Sequence, residues 1–177
     1  MGCRIGLGMV VALVSSFALP AVAGAKLPTF ASKKIVLGKS IGGVRPGMTL
    51  AAAQSAWGPG GISEAGDPCQ ESGRTSCIWK GGSVREQAIV GLDGNGVVQS
   101  VRIVGGPKSP LAKLKTSKGL GLGTKSSVFF KTYGQIGFPV GLGAPQGSGV
   151  AYILGKTTFF GGATSRRIIG VQIFKAT

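Results

Sequence analysis

The chain contains no histidine, and only five of its 177 residues are acidic. The first absence removes the imidazole that most acid–base and nucleophilic mechanisms use to carry a proton. It also removes a principal zinc ligand, which three cysteines cannot replace. The five acids, Glu64, Asp67, Glu71, Glu86 and Asp93, all precede Val97, so the stretch from Val97 to Thr177 has no carboxylate with which to hold magnesium. No cofactor, no metal site and no enzymatic activity are expected. A carboxylate pair would have to come from those five acids, most of them in the loop around Cys69, where solvation is the expected role. A serine with lysine as its base also stays open, with Ser126 or Ser127 beside Lys125, and nothing in the spacing singles it out. Aromatic residues are scarce and do not interleave with the charges, so nucleic acid is not the expected partner.

What the chain does have is basic charge and glycine. Twenty Lys and Arg give a formal net charge of +15, and eleven of them fall between Val97 and Thr177. Such a field draws in polyanions and weakens with salt. Residues 1–25 read as a secretory signal peptide: Arg4 precedes an apolar run, Ile5 to Val22, and Ala23-Gly24-Ala25 offers small residues for cleavage, with a mature start near Lys26. The competing reading is an uncleaved anchor, since the run is nearly long enough to span a bilayer, but Ser15, Ser16 and Pro20 interrupt it. Cleavage removes Cys3 and leaves Cys69 and Cys77, an even pair in an oxidising compartment. A disulfide is expected between them, the alternative being two free thiols. The expected location is secreted or extracytoplasmic in a bacterium, with no membrane span in the mature protein.

An internal repeat organises the remainder. Ile41 to Gly58 returns 76 positions later, in degenerate form, as Ser117 to Gly134. Gly43 falls on Gly119, Gly47 on Gly123, Ala53 on Phe129, Trp57 on Tyr133 and Gly58 on Gly134. In the first copy Thr49 suits an N-cap, Leu50, Ala53 and Trp57 share a helical face, and Gly58-Pro59-Gly60 stops a helix over 50–57. Strands are expected over 77–80, 85–92 and 97–104, the last two joined by the tight turn Asp93-Gly94-Asn95-Gly96. The second copy predicts a helix over 126–133, a glycine-rich loop over 134–149, and strands over 150–154, 157–160 and 167–174, with Ile169, Val171 and Ile173 on one face. The expected class is α+β: two tandem units, each a short helical segment packed on a small antiparallel sheet. Their bounds are 26–104 and 119–177, joined by a basic linker, 105–118.

Gly47-Met48-Thr49, Trp57-Gly58, Cys69 with Cys77, and the echo at Gly123 and Tyr133-Gly134 together resemble the tandem-repeat fold of the beta-lactamase inhibitor protein family. The single unit is also similar to the BamE-like envelope proteins, in which a G-M-T opens the helical part. The resemblance spans nearly all of the chain after residue 25. It implies a protein that docks a protein partner through its sheet surface, with Gly81-Gly82-Ser83 standing where the inhibitor family carries an acidic hairpin loop.

Two further motifs mimic nucleotide loops without their context. Gly119 to Gly123 lacks the G-x-G-x-x-G spacing and follows no strand, and Gly155-Lys156-Thr157 lacks the upstream glycine of a P-loop. The residues with most claim to a binding role are Lys108, Lys113, Lys115, Lys118, Lys125 and Lys131, with Trp79 and Tyr152 as possible platforms on strands. The leading expectation is a secreted or envelope-associated, non-enzymatic protein that binds an envelope or extracellular protein through its sheet. The alternative is a cationic module adhering to anionic cell-wall polymer or a membrane surface.

Overall fold

The computed structural model describes residues 26–69, 76–83, 85–134, 137–143 and 147–175, so the expected signal peptide lies outside the described residues. Strands β1 (Ile35–Val36) and β2 (Ser40–Ile41) form a minimal hairpin ahead of helix α1 (Leu50–Trp57). Strands β3 (Ser76–Lys80), β4 (Gln87–Leu92) and β5 (Val98–Val104) follow, then a 3-10 turn (Pro110–Lys113) and helix α2 (Ser126–Tyr133). The chain ends in β6 (Phe138–Gly143), β7 (Gly147–Leu154), β8 (Thr157–Gly162) and β9 (Ile168–Phe174).

The α+β expectation is overturned. The protein is mostly β: β3 to β9 make one seven-stranded antiparallel sheet in the order β3-β4-β5-β9-β8-β7-β6, and each α-helix has only eight residues. There are not two helix-on-sheet units, because β5 and β9 pair through the middle and make one ladder of two. Left apart, each would be an open edge with unpaired N–H and C=O groups. A second correction concerns 134–149, expected as a loop, where β6 and the start of β7 form the far edge of the sheet.

Local chemistry explains the frame. Thr49 caps α1 by accepting the Ala52 N–H at 3.2 Å, and Gly58 closes it at φ 88°. Asp93 organises the β4–β5 turn: its Oδ1 accepts the N–H groups of Asn95 (3.0 Å) and Val97 (2.9 Å), and its Oδ2 accepts Gln99 Nε2 at 2.6 Å. These bonds, that of Val97 first, hold its carboxyl below the ordinary aspartate range.

The same backbone contacts occur twice. Gly47 donates to the Val98 carbonyl and Val98 to that of Met48, while Gly123 donates to Ile168 and Ile168 to Thr124. Leu50 donates to Gly96, and Ser126 to Arg166. The two halves of the sheet are thus related by an approximate two-fold axis, on which Arg102 of β5 sits opposite Gln172 of β9. Even the bulges correspond: register skips Gln99 in β5 and Ile169 in β9. That skip corrects the expected alternation, since Ile168 rather than Ile169 enters the core.

The core lies between the helices and one face of the sheet. In the first half Trp57 meets Trp79 edge-on at 5.2 Å and Phe30 at 5.8 Å. The Cys69–Cys77 disulfide, with Cα atoms 5.7 Å apart, adjoins them: a Cβ on Gly61 would run into both the Cys77 sulfur and the Trp79 ring. In the second half Phe129 packs on Tyr152 and Phe159, each at 4.8 Å. The stretch 105–118 joins the same core through Leu111 and Leu114, both fully buried, and Lys115 exchanges backbone hydrogen bonds with Lys33 and Ile35.

Candidate docking face

Alternation along antiparallel strands sends one set of side chains to the helices and the other to the opposite face. Register places three rows on that opposite face. The central row runs Ile78, Ile89, Arg102, Gln172, Thr158, Ile153. Beside it run Lys80, Gln87, Val104, Gly170, Phe160, Ala151, Phe138 on one flank, and Ser76, Gly91, Ser100, Phe174 on the other. Phe138, Phe174 and Ile153 are 57%, 47% and 49% exposed, which is unusual for large apolar side chains brought onto one surface. These rows hold two cations, Lys80 and Arg102, and no carboxylate.

Arg102 is the chemically distinctive residue of the face. Its side chain is partly buried, its Nε is shut off from solvent without a hydrogen-bond acceptor, and burial lowers its pKa from the ordinary arginine value. The guanidinium carbon lies 5.4 Å from the centroid of the Phe160 ring, two strands away. Gly170, on the strand between, makes this reach possible: a Cβ there would stand 3.3 Å from the Phe160 ring. The cation–π contact offsets part of the lost hydration.

The residues nominated from sequence are placed elsewhere. Trp79 and Tyr152 point into the core, where Trp79 Nε1 donates to the Gly58 carbonyl at 3.0 Å and Tyr152 stacks on Phe129. The six lysines line different surfaces. Lys115 joins Lys33 and Lys34 around a cleft of about 500 Å³, donates through Nζ to the Leu122 carbonyl at 3.3 Å, and has its pKa lowered by burial. Lys118 stands 4.8 Å over the Tyr133 ring. Lys125 lines another cleft, of about 470 Å³, with Ser126, Ser127, Arg166 and Arg167. Lys108, Lys113 and Lys131 are exposed and border neither cleft. The nucleotide-loop mimics are turns: Gly155 and Lys156 connect β7 to β8, and buried Thr157 accepts the Gly38 N–H at 2.6 Å.

No family model matches the chain, and searches of curated proteins and of solved structures give no match either. Among the described residues, no helix is long and apolar enough to cross a membrane, and no group of three or more potential metal ligands occurs. Sequence reasoning missed Arg102 and the exposed face around it. The available signal was the alternation of β5, which sets Arg102 between Val101 and Ile103 and out of phase with both.

Proposed function

We propose that the protein is an exported, non-enzymatic binding protein that docks a protein partner through the open face of its sheet. The observation that carries this reading is that Phe138, Ile153 and Phe174, each about half exposed, share with Phe160 a face turned away from the helices. Exposed apolar surface of this kind is costly unless something covers it. The disulfide and the signal-like residues 1–25 support export, and the resemblance to the beta-lactamase inhibitor protein family agrees with docking through a sheet. The test is capture from an envelope extract on immobilised protein at low and high salt, alongside an Ile153→Ser/Phe174→Ser variant. A discrete protein retained at high salt by the native chain and lost with the variant is the expected result, each anchor contributing roughly tenfold or more in affinity.

A second reading, a cationic module for anionic wall polymer or membrane surface, is favoured by the basic clefts at Lys33, Lys34 and Lys115 and at Lys125, Arg166 and Arg167. It predicts retention on purified wall polymer that vanishes at high salt and ignores the Ile153→Ser/Phe174→Ser changes. That outcome would sink the first reading.

A further inference from the structure

We infer that Arg102 is the specificity determinant of the docking face, and that the partner it selects presents a single Asp or Glu carboxylate within an apolar surround. This rests on the sheet-docking reading and adds the partner's chemistry to it. Most of the chain's basic side chains stand where water hydrates them; Arg102 sits amid Ile89, Gln172 and Phe160 at the centre of the sheet. Its Nε has no acceptor, and the three rows of the face hold no carboxylate that could pair with it. A guanidinium is always charged and offers five donors in a planar fork. The buried Nε stays unpaired and destabilising whatever docks, whereas an incoming carboxylate could accept two parallel bonds from the two terminal nitrogens at the fork's outer edge. That edge stays reachable because the side chain is only partly buried.

The two-fold axis sharpens the point. The position equivalent to Arg102 is Gln172, its direct cross-strand neighbour. Two arginines there would repel each other across one rung, so a sheet of this symmetry accommodates one cation on its axis. Beside it, Phe160 and Ile89 supply the apolar setting in which a charge-assisted pair is strengthened by exclusion of water. The fitting occupant is a protein surface with one acidic side chain ringed by apolar ones. A diffuse polyanion does not fit, since one recessed guanidinium cannot track a chain of charges.

The experiment titrates the isotope-labelled protein with two blocked peptides, acetyl-Phe-Glu-Phe-amide and acetyl-Phe-Gln-Phe-amide, and with inorganic phosphate. The readout is the Arg102 Nε–Hε resonance. The Glu peptide should shift it and bind roughly tenfold tighter than the Gln peptide. Arg102→Met should erase that preference while raising the melting temperature, because an unpaired donor is removed from an apolar site. Arg102→Lys should not restore it, since an ammonium lacks the fork. Lys115→Gln and Lys125→Gln should leave it intact. Equal binding of both peptides, abolished by Ile153→Ser/Phe174→Ser, would overturn the role of Arg102 while leaving sheet docking standing. No shift at millimolar Glu peptide, or an equal shift with phosphate, would overturn the inference outright. If the Glu preference is observed but capture yields no salt-resistant protein, the carboxylate site stands and the docking reading fails.

Discussion

The two halves of the sheet share a backbone frame and differ in what fills it. Register equates Cys77 with Tyr152 and Val90 with Phe159, and the helices equate Ala53 with Phe129 and Trp57 with Tyr133. In the first half a small alanine on the helix leaves room for two tryptophans and a disulfide. The second half has no cysteine; Phe129 instead drives its ring between Tyr152 and Phe159, and Tyr133 moves to the half-buried margin. The frame is held by paired glycine turns and by the ladder. The filling can therefore change as long as volume is conserved.

The largest expected effect tests whether the halves unfold together. Trp57→Ala and Phe129→Ala each delete a fully buried ring and should each cost about 3–5 kcal/mol. Because β5 pairs with β9, both should lower one shared transition in urea. Tryptophan fluorescence reports the first half alone, since it holds both tryptophans. A Phe129→Ala protein that loses β-sheet circular dichroism while its fluorescence stays native would break the comparison into two independent halves.

Next comes the disulfide, found in one half only. Reducing Cys69–Cys77 opens a short loop and should cost about 2.5 kcal/mol, read as a lower urea midpoint in reductant. Equal midpoints in both redox states would mean that the tryptophan cluster alone holds this edge. Smaller again is the turn before the last strand of each half. Gly96 has φ 71°, whereas its equivalent, Arg166, has φ 49°, a conformation that L-residues adopt at a cost. Arg166→Gly should stabilise by up to about 1 kcal/mol, and Gly96→Ala should destabilise by about the same amount. Opposite signs in thermal melts would support the equivalence of the two turns.

The smallest effect is on pH dependence. The depressed pKa of Asp93 means that the folded state binds its proton less readily than the unfolded chain does. Its contribution to stability is therefore present above the ordinary aspartate value and is lost as pH falls through that range towards the lower folded value. Asp93→Asn should flatten the acid limb of the stability curve. The second half, with Ala163-Thr164-Ser165-Arg166 at the matching turn, has no carboxylate to titrate there.

Local features were legible in the residues themselves. Thr49 with Gly58, and Gly134 after Tyr133, bracket the two helices, and Asp93 to Gly96 make a hairpin whose partners are close in the chain. The pairing of β5 with β9 was not legible, because no local pattern says which open edge a strand will meet 70 residues away. For the same reason β6 was missed: Phe138-Pro139-Val140-Gly141 has a proline and a glycine that mark it as loop when considered alone, and both are tolerated at a sheet edge. The lysines drew attention by number, but number does not say which charge is dehydrated.

By itself the sequence determined the turns, the helix ends, the cysteine pairing and the absence of histidine chemistry, since each depends on residues near one another or on composition alone. Only the tertiary structure decided that the strands form one sheet, that Trp79 and Tyr152 face inward, and that Arg102 stands on the two-fold axis amid apolar neighbours. Burial and pairing belong to contacts between distant segments. Those contacts exist only once the backbone ladder has brought the segments together.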